Sequence, residues 1–275
     1  MKPPPPPAAD HATAKAPVLI AGITSAIGRA LAEVWALRGH PLILTARQPA
    51  DAASTAADLT LRFGVPTTTL AYDAEPPGLA GTAGWQAAFH QAHAAVSPND
   101  GATPATPVLH GVVVAFGLFG RTLEVTQDPT LHARMQRINA HAVDELLAAL
   151  LPRVAPTGFA AVVSSVAGDR PRPSLQSYAE SKQTLNTLLA RHRAGQTGGP
   201  ARGPTITIIK PGPVETPMTW GIVPPGKGAP PARIARDAAA AIDARRSAVY
   251  TPFHWRYVMG ILRLVPGPIY RRLPI

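Results

Sequence analysis

Tyr178 and Lys182 stand four residues apart in Ser177-Tyr178-Ala179-Glu180-Ser181-Lys182, and on a helix that spacing projects both side chains from one face. An ammonium held near a phenol favours the phenolate and lowers the tyrosine pKa, bringing a weak acid–base group closer to the working pH. Ser165 lies thirteen residues upstream of Tyr178, within Ser164-Ser165-Val166-Ala167-Gly168-Asp169-Arg170, where its hydroxyl can donate to the same substrate oxygen. The set suits proton transfer to or from an oxygen. A Tyr-x-x-x-Lys pair alone arises by chance, so its meaning depends on the elements that carry it.

Those elements alternate short apolar runs with longer helical patterns, the sequence form of βαβ units around a buried parallel sheet. Strands are expected at 17–22, 41–46, 66–72, 108–117, 159–164, 205–210 and 248–251. Helices are expected at 26–38, 51–64, 85–96, 130–151, 174–193 and 231–244. Ser165 then falls at the end of the fifth strand, Tyr178 and Lys182 on the helix after it, and Asn139 within the long pattern 130–151. Residues 97–107 have the composition of an exposed loop.

The first strand runs into Ala21-Gly22-Ile23-Thr24-Ser25-Ala26-Ile27-Gly28, a glycine-bearing loop entering a helix. Glycines there let backbone approach a pyrophosphate, and the free amides of a helix N-terminus donate to it. Many dinucleotide folds end the second strand on an acidic residue that binds ribose hydroxyls, but here the strand ends Thr45-Ala46-Arg47. A guanidinium pairs with a 2′-phosphate, so Arg47 favours NADP(H), with NAD(H) as the alternative. Asp73, after the third strand, can accept from an adenine amino group or cap the next turn. Ala115 and Gly117, either side of Phe116, are small where a second ribose needs room.

At 275 residues the chain suits one large domain, expected over 16–252. The 32 prolines gather in tails and loops, and MKPPPPPAAD makes 1–15 an extended, disordered arm with no secretory signal. With no cysteine there is neither a disulfide framework nor a thiolate metal site, and no metal site is expected. A cytoplasmic location follows. The formal charge of +10 attracts phosphate-bearing ligands. No arginine-aromatic groove or helix-turn-helix pattern accompanies it, which argues against nucleic acid.

In this order and spacing the motifs resemble those of short-chain dehydrogenases/reductases, from Pro17 to Thr251. The family's serine, Tyr-x-x-x-Lys and helical asparagine correspond to Ser165, Tyr178, Lys182 and Asn139, and its proline-glycine turn to Lys210-Pro211-Gly212-Pro213-Val214-Glu215-Thr216-Pro217-Met218. The resemblance implies an α/β fold of Rossmann type, doubly wound, with a seven-stranded parallel sheet and helices on both faces. It also implies an oxidoreductase in which hydride moves between a nicotinamide and a carbonyl carbon while Tyr178 transfers the proton. Ser165 would position the oxygen, Lys182 would also hold the nicotinamide ribose, Asn139 would support a water linking Lys182 to solvent, and Val214 and Thr216 would meet the carboxamide. A homodimer or homotetramer is implied too. Ala21, Ala26 and Val114-Ala115-Phe116-Gly117 depart from the usual pattern and mark a divergent branch. A dinucleotide sensor without turnover would not need all four catalytic side chains.

Residues 164–170, 209–219 and 249–256 are similar to a bacterial subgroup that includes the ketoreductase of decaprenyl-phosphoryl ribose epimerisation. That likeness implies a keto-sugar on a polyprenyl phosphate, against the alternative of small soluble ketones or aldehydes. The basic tail 253–275 bears on the choice. Trp255, Val258, Met259, Leu262 and Val265 share one helical face, and Arg256, Arg263, Arg271 and Arg272 surround it. Such a face suits peripheral contact with a membrane, at its inner surface, or packing on protein.

Overall fold

The computed structural model describes residues 15–97, 107–196 and 203–270. Most of the proline-rich arm, the 98–106 segment, Arg271 and Arg272 therefore lie outside the described residues.

Seven strands form a single parallel sheet: β1 (Val18–Ala21), β2 (Leu42–Ala46), β3 (Thr67–Ala71), β4 (Leu109–Val114), β5 (Val154–Val163), β6 (Thr205–Pro211) and β7 (Ala248–Thr251). Their order across the sheet is β3-β2-β1-β4-β5-β6-β7. Every neighbouring pair is parallel, so each connection crosses over a face and both faces are covered. That burial explains why the strands read as near-continuous apolar runs: all four side chains of Val18–Ala21 are buried.

The helices are α1 (Ala26–Leu37), α2 (Ala50–Phe63), α3 (Ala83–Val96), α4 (Thr122–Gln127), α5 (Thr130–Gln136), α6 (Ala142–Leu150), α7 (Gln176–Ala194), α8 (Pro231–Asp243) and α9 (Trp255–Leu264), with a short turn of helix at Gly267–Tyr270. One face is packed by α1, α2 and α8 through residues such as Leu31, Trp35, Leu59 and Ile234. The other is packed by α3, α6 and α7 through Trp85, Phe89, Leu146 and Leu185. Among the described residues no helix is long and apolar enough to cross a membrane.

Differences from the sequence reading have local causes. The fourth strand stops at Val114 rather than Gly117, which leaves Ala115–Gly117 as irregular backbone at the sheet's carboxyl end, the Ala115 amide still donating to the Ala21 carbonyl at 2.8 Å. The fifth starts at Val154, well before Phe159, and its pairing with β4 shifts register between Leu109 and Gly111. The helical pattern 130–151 is broken in the middle by a π turn, Arg137–His141, where the Ala142 amide donates to the Arg137 carbonyl. The short helix α4 carried no periodic apolar signal, and none of its residues is buried.

Candidate active site

Strand order reverses between β1 and β4, so the connections leaving these two strands part to opposite faces and open a crevice at their carboxyl ends. A cleft of about 510 Å³ lies there.

At one end of the cleft, Ser165 follows β5 directly and caps the short turn Val166–Gly168. Its Oγ accepts from the Ala167 amide at 3.1 Å, which leaves the hydroxyl proton available to donate. Tyr178 lies in the first turn of α7 and Lys182 one turn on, and all three line the cleft. The Lys182 Nζ is 5.8 Å from the Tyr178 ring centroid and donates to the Val163 carbonyl at 3.2 Å. On the other side the Phe119 ring meets Tyr178 edge-on at 4.9 Å.

Burial pushes the Tyr178 phenol up to about 12, while its hydrogen bond with Ser165 pulls the other way. Burial pushes Lys182 down to about 8. The lowering of the phenol expected from the lysine four residues away does not set this pKa: burial does, and the ammonium stands nearly 6 Å from the ring. The result is a tyrosine held as the acid and a lysine that is still mostly an ammonium at neutral pH but gives up its proton far more readily than a free lysine.

Asn139 is fully buried on the π turn, the kind of irregular helical turn that gathers at functional sites. Its Oδ1 accepts from the Leu118 amide at 2.7 Å, and its Nδ2 donates to the Leu118 carbonyl at 2.7 Å and the Ser181 Oγ at 2.9 Å. Ser181 in turn donates to the Tyr178 carbonyl at 2.7 Å. The asparagine therefore clasps the backbone leaving β4 to the turn of α7 that carries Tyr178. Its amide is occupied by protein at both ends, and it stands behind the cleft rather than lining it. Ser181 is a link that sequence reading missed; a serine beside Lys182 gave no signal of it.

At the other end, Gly22, Thr24, Ser25, Ala26 and Ile27 line the cleft where β1 turns into α1. Gly22 has φ +92°, and a Cβ on it would lie 2.6 Å from the Phe116 amide nitrogen, so only glycine lets the loop pass the end of β4. Gly28, placed by sequence among the cofactor residues, does not line the cleft; its bare Cα packs against the Gly22 carbonyl. The Ser25 side chain caps α1, and the Ala26 and Ile27 amides precede the helix's first backbone bond, from Arg29 to the Ser25 carbonyl. These are the free donors of a helix N-terminus.

Arg47, exposed at the end of β2, and Asp73 share this rim of the cleft. Asp73 also accepts from the Glu75 amide at 3.0 Å, so it stabilises its own turn. Arg134, not singled out from sequence, lines the same end and pairs with Glu75 at 2.7 Å. Ala115, Phe116 and Gly117 form the cleft's middle.

Pro211, Gly212, Val214 and Thr216 line the cleft beyond β6. Gly212 also has a reason of its own to be glycine: a Cβ there would stand 2.0 Å from the Trp255 indole nitrogen. The tail thus seats its first helical residue on the site. Two further latches hold it. Asp169, its side chain 3% exposed, receives Lys210 at 2.5 Å, the Tyr250 hydroxyl at 2.5 Å and Arg263 at 2.9 Å. Arg170 donates to the Leu262 and Val265 carbonyls and stacks on Tyr270 at 4.2 Å. Among the described residues no cluster of side chains could hold a metal ion.

Residues 16–225 match the family of short chain dehydrogenases. An uncharacterized oxidoreductase of Mycobacterium tuberculosis is 29% identical over 264 residues, 95% of this chain and 98% of the relative. Among solved structures, a short chain dehydrogenase from Shigella flexneri complexed with NADP superposes with a TM-score of 0.70 at 22% identity, covering 86% of this chain and 96% of that one. A short-chain dehydrogenase from Sphingobium yanoikuyae in complex with NADPH gives 0.67 at 21%, covering 92% and 97%. With the profile spanning most of the chain and the doubly wound sheet matching these structures, the protein belongs to the short chain dehydrogenase family of oxidoreductases.

Proposed function

We propose that the chain is an NADP(H)-dependent carbonyl reductase and alcohol dehydrogenase in which Tyr178 passes the proton. The observation that carries this reading is the meeting of the Tyr178 phenol, the Ser165 hydroxyl and the buried Lys182 at one end of a single cleft, with Arg47 on the rim of the other. The cleft fits a dinucleotide: a glycine that admits no Cβ at Gly22, free amides at Ala26 and Ile27, and small residues at Ala115 and Gly117. The bound nicotinamide would supply or take up hydride.

The chain's own groups divide the remaining work. With its pKa raised to about 12, Tyr178 stays protonated at neutral pH and is the acid that carbonyl reduction needs. Ser165 keeps its proton to donate to the same oxygen. Lys182 would hold the nicotinamide ribose and Val214 and Thr216 would meet the carboxamide, while Asn139 keeps the β4 exit and the Tyr178 turn together. Arg47 pairs with the 2′-phosphate. The NADP and NADPH bound by the Shigella and Sphingobium proteins support the same preference here.

For substrate we infer a keto-sugar carried on a polyprenyl phosphate or a related envelope precursor, handled at the inner face of the membrane. The support is the subgroup likeness of residues 164–170, 209–219 and 249–256. Residues 16–252 form the catalytic domain and 253–275 the appended tail of a homodimer or homotetramer.

The test is NADPH oxidation against keto-sugar polyprenyl phosphates beside simple ketones, with Tyr178→Phe in parallel. Turnover is expected to fall by about 10²–10⁴ in the variant while NADPH affinity is kept. Retained activity in Tyr178→Phe removes the assignment of the proton donor. Turnover of simple ketones alone removes the lipid-linked substrate, and NADPH binding without turnover of any carbonyl leaves a sensor.

A further inference from the structure

Most of the large apolar side chains left exposed stand at one end of the molecule. Leu37, Leu61 and Val108 are elsewhere, but Leu123, Met218, Trp220 and Ile222 follow β4 and β6, and Phe253, Tyr257, Val258, Ile261, Leu264 and Ile269 follow β7. All of the second group lie beyond the carboxyl ends of strands, the end on which the cleft opens. Exposed single apolar residues are ordinary, but a concentration around a site mouth marks a contact surface.

On α9 the concentration has a period. Tyr257, Ile261 and Leu264 recur at intervals of four and three, so they share one helical face, and Phe253, just before the helix, meets the Tyr257 ring at 5.3 Å; the four are 62%, 66%, 84% and 53% exposed. This is not the face that sequence reading picked out. Of that face Trp255, Met259, Leu262 and Val265 turn toward the body, where Trp255 packs on Gly212, Met259 is buried and Arg170 holds the helix's last carbonyls, while Val258 at its margin is 36% exposed. The Arg263 pairing with Asp169 fixes the helix further, so its outer face is presented by a rigid element. Trp220, 87% exposed on the loop after β6, adds a third aromatic at the same end.

Charge selects the occupant. From Pro252 to Ile275 the chain has four arginines and no aspartate or glutamate, and of these Arg263 is already paired with Asp169. A second copy docked through the same segment would set arginines against arginines. An anionic lipid surface complements them, and it also takes up aromatic and aliphatic side chains at the depth of its headgroups. We propose that this end of the molecule docks on an anionic bilayer through the outer face of α9, with Trp220 entering beside it. The docking deepens the lipid-linked substrate reading and rests on it for its purpose only, which is to bring the mouth of the cleft to a substrate held in the membrane.

The full chain is sedimented with vesicles of phosphatidylglycerol mixed with phosphatidylcholine, and with vesicles of phosphatidylcholine alone. Binding to the anionic vesicles is expected, weakening with added salt, and Ile261→Glu with Leu264→Glu is expected to lower it by about tenfold or more. Leu37→Glu and Leu61→Glu, exposed on α1 and α2, serve as controls and should bind like the parent; circular dichroism checks that each variant is folded. Absence of parent binding, or equal binding by the Ile261 and Leu264 variant, overturns the proposal. So does a fall in oligomer mass in that variant without vesicle binding in the parent, which would make the face a contact between copies. Vesicle binding is read without turnover, so its failure leaves carbonyl reduction standing, and a chain inactive on every carbonyl can still meet this test.

Discussion

The two ends of the sheet are built to different rules. At the amino end, Trp35 stacks on Phe159 at 4.5 Å, and His40 stacks on His110 at 4.2 Å, an aromatic plug under the strand starts. At the carboxyl end, Lys182, Asn139, Asp169 and Lys210 are buried together with their partners, while Trp220, Tyr257, Ile261 and Leu264 are left in solvent. One end buries aromatic rings; the other buries charge and exposes hydrocarbon. Departures of this kind cost stability and persist where chemistry or contact repays them. The contrast sets plain packing at the amino end against function at the carboxyl end.

The largest expected effect is at Asp169. Removing its charge strands Lys210, whose side chain is 11% exposed, and loosens Arg263. Asp169→Leu is expected to cost about 3–5 kcal/mol in denaturant unfolding, the range for breaking one side of a buried pair. Amide exchange in α9 should speed up as well. A loss below about 1 kcal/mol would mean that the carboxyl end is not held by this cluster.

Lys182 tests the opposite sign. Its pKa falls from 10.5 unfolded to about 8 folded, so between these values the unfolded chain binds more protons and stability rises with pH through that window. At neutral pH the buried ammonium is a net cost. Lys182→Met is expected to stabilise the fold by about 1–3 kcal/mol while abolishing turnover. A destabilised variant would show that its bond to the Val163 carbonyl outweighs its desolvation.

The smallest effect belongs to the amino end. Burial lowers His110 from 6.5 to about 4 and lowers His40 too. For both, the neutral form is the folded one: their contribution is full above 6.5 and, for His110, is lost as pH falls toward 4. Thermal melts across that range should show the decline, and His110→Phe should flatten it. A slope unchanged in the variant would place acid sensitivity at the other end.

Much of this was legible in the chain itself. Strand-like runs separated by helical patterns specified the parallel sheet because inner strands buried on both faces, such as β1 and β2, leave few polar positions, while the half-buried β3 at the edge was legible through its β-favouring threonines. The four-residue interval between Tyr178 and Lys182 placed both on one face of α7, since helical geometry alone decides that. Arg47 could be put at the cofactor rim from its place at a strand end.

What the sequence could not specify were the consequences of distant segments meeting. The pKa of Tyr178 is set by how dry its surroundings are, which depends on Phe119 and the walls of the cleft, and not on the lysine one turn away. Asn139 is drawn to Leu118 and Ser181 by a π turn that no periodicity announces. Gly212 is glycine partly because Trp255, more than forty residues later, sits on it. The outward face of α9 was decided by where Arg170 and Asp169 grip the helix. A sequence fixes the period of a helix, and therefore which residues travel together. Only packing fixes the helix's rotation, and therefore which of its faces meets the protein and which meets the world outside.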